Sequence, residues 1–131
     1  MKLSSDEAQF LPKTQPDDII NDVTRKNSSQ GMLDTAVRLL AEAASPRRII
    51  LFGSHARGEA SENSDIDLLV IKDRVENRRR EIVRLLDLLE PHDIPADVFV
   101  ASEELFEAWS IHPGNLLFEA RREGRVVYEA A

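Results

Sequence analysis

Residues 48–71 read RIILFGSHARGEASENSDIDLLVI, and the order of residue types along this stretch decides the fold. Its first part, Arg48–Phe52, is an apolar run too short for a helix and apolar on both parities. It therefore reads as a central strand covered on both faces. Gly53 ends the strand. Ser54 to Gly58 then reads as a short helical turn whose backbone N–H groups can face an anion, and Glu59 to Ser64 as a polar loop. In the next strand, Asp65 to Ile71, alternation puts Asp65, Asp67, Leu69 and Ile71 on one face and Ile66, Leu68 and Val70 on the other. Two carboxylates thus stand at the start of a strand that is apolar behind them, a pattern suited to a hard divalent cation, which takes oxygen ligands.

Outward from this stretch, the chain alternates helices and strands. Leu33, Ala36, Val37, Leu40, Ala41 and Ala44 recur on one face of a helix over Met32 to Ala44, and Ser45-Pro46 ends it. A second helix is expected from Glu76 to Glu90, with Ile82, Leu85, Leu86 and Leu89 facing inward and Arg78, Arg79 and Arg80 leading in. Pro91 and Pro95 bracket a loop before a third strand, Ala96 to Ala101, with Asp97 near its start. Ser102 is placed to cap a helix whose inner side carries Leu105, Phe106 and Trp109. Asn115 caps Leu116 to Glu123, Gly124 supplies the C-terminal turn, and Arg125 to Glu129 closes as a strand. The pattern is that of an α/β (α+β) domain on one sheet.

The N-terminal stretch reads differently. Residues 1–30 are polar and interrupted by Pro12 and Pro16, with one short helix expected at Pro16 to Lys26 and a linker over Asn27 to Gly31. The expected organisation is an N-terminal arm, 1–30, and one domain, 31–131. The totals agree with one core: 131 residues, 42% hydrophobic and 31% charged. No apolar run approaches the length of a membrane span, and no apolar segment follows the N-terminus as in a secretion signal. The absence of cysteine fits a cytoplasmic location. With 24 acidic against 17 basic residues, net −7, the chain is a poor holder of long nucleic acid, whose binding rests on neutralising phosphates. A small nucleotide arriving with its own cation meets no such objection.

Phe52-Gly53-Ser54, Ala56-Arg57-Gly58, then Ser64-Asp65-Ile66-Asp67-Leu68 and a third acid at Asp97 together resemble the nucleotidyltransferase superfamily of DNA polymerase β. Within it the chain is most similar to the minimal nucleotidyltransferases (MNT), whose pattern is GSxARG followed by SDIDL. The resemblance runs over residues 32 to 129 and includes His112-Pro113-Gly114-Asn115-Leu116-Leu117. It implies a polymerase β-like fold, a small mixed β-sheet flanked by helices. It also implies that Gly53, Ser54 and nearby amides hold nucleotide phosphates, that Asp65 and Asp67 ligate two Mg²⁺ ions, and that Asp97 completes the metal site and helps deprotonate the acceptor. Phosphoryl-type transfer from ATP requires just such neutralisation at both ends of an in-line displacement. Arg57 has two readings, a clamp on phosphate or a tie from the loop to an acid such as Glu62.

Gly53 to Gly58 has the spacing of a Walker A loop, but Glu59 stands where the lysine is required and would repel phosphates. His55, His92 and His112 lack zinc-ligand spacing. The function that follows is AMP transfer from ATP to a hydroxyl, and a chain this small must have that hydroxyl presented by something else. Family resemblance points to a partner HEPN-domain toxin, with this chain as the antitoxin that adds AMP to a toxin tyrosine. Two alternatives stand beside it: a binding antitoxin that occludes its partner without catalysis, and a small-molecule nucleotidyltransferase, of the aminoglycoside type, with its acceptor pocket at a homo-oligomer interface.

Overall fold

The computed structural model describes residues 29–61 and 63–131; the helix expected at Pro16 to Lys26 lies outside them. Five α-helices and four strands are present among the described residues: α1 Ser29–Ala44, β1 Arg48–Phe52, α2 Ser54–Arg57, β2 Ile66–Lys72, α3 Arg78–Leu89, β3 Ala96–Ser102, α4 Glu103–Trp109, α5 Leu116–Glu123 and β4 Arg125–Glu129. The sheet order is β3-β2-β1-β4. β1 runs antiparallel to β2 and β4, while β2 and β3 are parallel. A parallel pair needs a long crossover, and α3 supplies it. The mixed sheet and its helices are the architecture expected from the sequence.

Strand parity explains how both faces are filled. Ile50, Phe52, Leu69, Ile71 and Ala101 form one buried cluster with Phe106 of α4 and Ala120 of α5, and the Phe52 and Phe99 rings meet at 5.7 Å. On the opposite parity Ile49, Leu51, Leu68, Val70, Val98 and Val100 are also buried. α3 packs on β3, and Arg84 Nη2 donates to the Ala43 carbonyl at 3.0 Å, which sets α3 beside α1. Among the described residues no helix is long and apolar enough to cross a membrane.

Several local expectations change. Helix α1 begins at Ser29, so Ser29 to Gly31 are helical rather than linker. β2 starts at Ile66, one residue after Asp65, and α3 starts at Arg78 because the Asn77 side chain accepts from the Arg80 amide. The loop after α3 contains a 3₁₀ turn, Glu90–His92, with Asp93 in the left-handed region after it. Leu86 is 36% exposed and Trp109 53%, so neither belongs to the core. Ser102 and Asn115 cap as expected, accepting from Leu105 and Phe118 at 3.0 Å each. Gly124 does not supply a left-handed turn, since its φ is −80°. It is glycine because a Cβ there would collide with the Ala120 carbonyl and the Ile50 side chain, letting α5 turn into β4 directly against β1.

One ion cluster ties the crossover to the sheet. Glu81 of α3 receives Lys72 at 2.8 Å and Arg84 at 2.8 Å. The Arg84 hydrogen bond, then that of Lys72, hold the Glu81 pKa down to about 2. A carboxyl depressed in the folded state contributes stability that is present above its unfolded value of 4.5 and is lost as pH falls toward 2. Glu81→Gln should therefore lower the melting temperature at pH 7 by a few degrees, on the order of 1 kcal/mol for a solvent-screened network. Thermal unfolding followed by circular dichroism checks this, and the difference from the parent should shrink between pH 4.5 and pH 2.

Candidate active site

Three chain segments meet at one end of the sheet. β1 ends at Phe52, which pairs across the ladder with Asp67. The chain turns at once into α2 through Gly53, at φ 78° and ψ −156°, a conformation essentially reserved for glycine. A Cβ at this position would also run into the Asp67 carboxylate. Residue 53 is glycine on both counts. Its carbonyl accepts from the Ala56 and Arg57 amides at 3.1 Å each, and the Glu59 amide closes back on the Ser54 carbonyl at 2.9 Å. The amides of Ser54 and His55 belong to the first helical turn and have no acceptor within the helix.

Two side chains fasten this turn. His55 Nε2 hydrogen-bonds the Ser64 carbonyl at 3.1 Å, which requires the proton on Nε2 and ties α2 to the loop that delivers Asp65. Arg57 donates to Glu59 at 2.8 Å and to Glu123, at the end of α5, at 2.9 Å. The Glu59 hydrogen bond is the main reason its pKa stands above the ordinary value. Arg57 thus ties the turn to two acids, neither of them the one considered from the sequence; Glu62 lies outside the described residues. Nothing local in the sequence points to Glu123, because β4 pairing with β1 is what brings the end of α5 to the turn.

The carboxylates are placed by register. In the parallel β2–β3 ladder Asp67 lies directly opposite Asp97, and Ile66 opposite Ala96; the Ile66 amide donates to the Pro95 carbonyl at 2.9 Å, fixing that alignment. Asp65 sits just before β2. Asp65 and Asp97 are exposed and Asp67 is partly buried. Burial raises the Asp67 pKa, and the negative charges of Asp97 and Asp65 raise it further, while His55 and Arg57 pull the other way. The structure therefore brings together all six residues singled out from the sequence: Gly53, Ser54, Arg57, Asp65, Asp67 and Asp97.

This donor set fits a hard cation. It offers carboxylate oxygens only, and the mutual repulsion felt at Asp67 is what a bound positive charge relieves. Among the described residues no group of three or more histidine, cysteine, aspartate or glutamate side chains is placed to hold a metal ion as it stands, Asp65, Asp67 and Asp97 included. Mg²⁺ does not need one, since it is held by one or two carboxylates with water and substrate phosphates filling the rest.

A mixed sheet, a glycine turn at the end of its central strand and facing aspartates beside it are the parts of a nucleotidyl-transfer site. Residues 33–122 match the nucleotidyltransferase domain model, and the chain belongs to that family. A Methanocaldococcus jannaschii protein, provisionally named a protein adenylyltransferase, is 40% identical over 85 residues, spanning 63% of this chain and 78% of its own. A Sulfolobus solfataricus crystal structure provisionally named a nucleotidyltransferase superposes with TM-score 0.55 at 17% identity, covering 76% of this chain and 78% of that one. A chain of a toxin-antitoxin crystal structure with AMP-PNP superposes with TM-score 0.52 at 21% identity, covering 78% and 74%. A chain of the tri-AMPylated Shewanella oneidensis HEPN toxin in complex with MNT antitoxin matches with TM-score 0.47 at 19% identity, covering 77% and 72%.

Proposed function

We propose that this nucleotidyltransferase transfers AMP from ATP to a hydroxyl of a partner protein, a HEPN-type toxin for which it is the antitoxin. The observation that carries the reading is the register pair Asp67–Asp97 standing beside the Gly53 turn. The Ser54 and His55 amides and the Ser54 hydroxyl bind the terminal phosphates, where helix-start N–H groups suit an anion. Arg57, held by Glu59 and Glu123, keeps the turn in shape and lies near enough to those phosphates to add its charge. Asp65, Asp67 and Asp97 would hold Mg²⁺, two ions in the family pattern, and the bound cation supplies charge neutralisation on the phosphates together with a lowered pKa for the acceptor hydroxyl. Asp97, exposed near the start of β3, takes the hydroxyl proton. The acceptor oxygen then bonds to the α-phosphorus, the bond to pyrophosphate breaks, and pyrophosphate leaves from the side of the turn.

The test is incubation of the full chain with α-labelled ATP, Mg²⁺ and a co-expressed helical partner. Label should pass to the partner, and the transfer should disappear with chelator and in Asp65→Asn. If the partner's activity is suppressed equally well by Asp65→Asn and no label moves, occlusion replaces catalysis as the antitoxin mechanism. Label on a small hydroxylated antibiotic and none on protein would instead favour the small-molecule reading.

A further inference from the structure

The carboxylates have two different neighbours. On the β1 side is the Gly53 turn; farther along β2 and β3, on the same sheet face, is a groove of about 450 Å³ lined by Leu69, Phe99, Leu105, Trp109, Leu116 and Leu117, with Arg78 beside them. Leu69 and Phe99 each follow the paired aspartates by two residues on the same strand face, about 7 Å along the strands. The order β3-β2-β1 therefore sets turn, Asp67 and Asp97 in sequence across the sheet, and the groove opens behind the two aspartates along β2 and β3. In an in-line displacement the leaving pyrophosphate and the attacking oxygen sit on opposite sides of the phosphorus. With phosphates on the turn, the acceptor needs a separate surface next to the aspartates, and the groove is one.

The groove is built for an apolar visitor and holds its own shape. Trp109 is 53% exposed and Ile111 59%, yet the segment carrying them is fixed. The Asn115 side chain donates to the Trp109 carbonyl at 3.1 Å and to the His112 carbonyl at 2.8 Å. Ser110 between them is fully buried and accepts from Arg121 at 3.3 Å. The Trp109 ring also rests against His112, centroids 5.9 Å apart. An anchored, solvent-facing tryptophan beside a half-buried phenylalanine is the composition of a binding hot spot. The rim adds a sign. Arg78 enters no ion pair among the described residues, in a chain whose net charge is −7.

We infer that this groove docks the acceptor: a protein segment that seats aromatic or aliphatic side chains against Phe99 and Trp109, sets a carboxylate against Arg78, and so delivers its hydroxyl to Asp97. The inference rests on the AMP-transfer reading above and deepens it by naming the acceptor's chemistry.

Trp109 is the chain's single tryptophan, so its emission reports the groove directly. The probe is an eight-residue peptide with one tyrosine among leucines and glutamates; a control peptide carries lysines in place of the glutamates. Titrated into the full chain, the acidic peptide should shift Trp109 emission to the blue with saturation, and the lysine peptide should bind at least tenfold more weakly. Arg78→Glu should reverse that preference, and Trp109→Ala should lower peptide labelling through KM rather than kcat. Calorimetric binding of AMP-PNP with Mg²⁺ should be the same in parent, Arg78→Glu and Trp109→Ala. If these two substitutions weaken AMP-PNP instead, the groove belongs to the nucleotide and the inference is overturned. It is overturned too if the peptide is labelled while Trp109 emission and the Arg78→Glu variant are indifferent to it, an outcome that leaves AMP transfer standing. A saturating, charge-selective emission shift without peptide labelling supports the docking groove, and label transfer to the co-expressed helical partner then decides the AMP-transfer reading separately.

Discussion

Asp67→Asn should reduce AMP transfer by a factor of about 10³ or more, the scale seen when one preorganised electrostatic group is removed from a transfer site, while leaving the fold intact or slightly more stable. The two halves of this expectation have one cause. Asp67 is partly buried beside Asp97 and near Asp65, and its pKa is raised, first by burial and then by those charges. A carboxyl whose folded pKa lies above the unfolded one is destabilising when ionised. That penalty is absent below the unfolded value of 3.8 and sets in as pH rises through it toward the folded one. In chelator, the parent should thus be less stable at pH 7 than the Asp67→Asn variant, and the gap should close at pH 3. Added Mg²⁺ should raise the parent's melting temperature and leave the variant's unchanged. A variant that loses both activity and stability would show instead that Asp67 is a structural residue. Activity measured by label transfer and melting measured with and without Mg²⁺ separate the two cases.

What the sequence disclosed follows from what is local in it. β1 and β4 have the expected bounds because an apolar run ended by glycine and a short alternating run after glycine need nothing distant to define them. The Ser102 and Asn115 caps were legible for the same reason, each being a side chain acting three residues away. Five of the six candidate site residues could be singled out together because the turn and the aspartate pair lie in one stretch, and Asp97 because it stands near the start of another strand. The failures needed information that no window contains. Trp109 has the spacing of an inner helical residue, but α4 is only seven residues long and Trp109 is its last residue, left half exposed. Leu86 shares the α3 stripe with Leu85 and Leu89, yet only those two are buried. The partners of Arg57 depended on β4 settling beside β1. Gly124 was expected for its backbone freedom and proved to be required for its lack of a side chain.

Gly53→Ala should be strongly damaging for the addition of a single methyl group. Two separate penalties fall on it. The backbone at φ 78° disfavours any residue with a Cβ, and such a strained position costs on the order of 1–3 kcal/mol. The added Cβ would in addition meet the Asp67 carboxylate, pushing it off the register position it shares with Asp97. Melting should fall by roughly 5–15 °C, and AMP transfer should fall by about 10² or more, since misplacement of a catalytic group by an ångström is enough for that. Gly58→Ala is a partial control. Gly58 has φ 75° and ψ 20°, in the ordinary left-handed region, and nothing lies within 4 Å of a Cβ placed there, so it carries only a milder backbone penalty and should keep most activity. The collision itself can be isolated by a double-mutant cycle with Asp67→Ala, which removes the group that the new methyl strikes. In that background Gly53→Ala should cost clearly less than it does in the parent, leaving the penalty of its own φ and ψ. If it still costs the full amount, the damage comes from backbone strain alone, and the close approach of turn and carboxylate is not what makes residue 53 glycine.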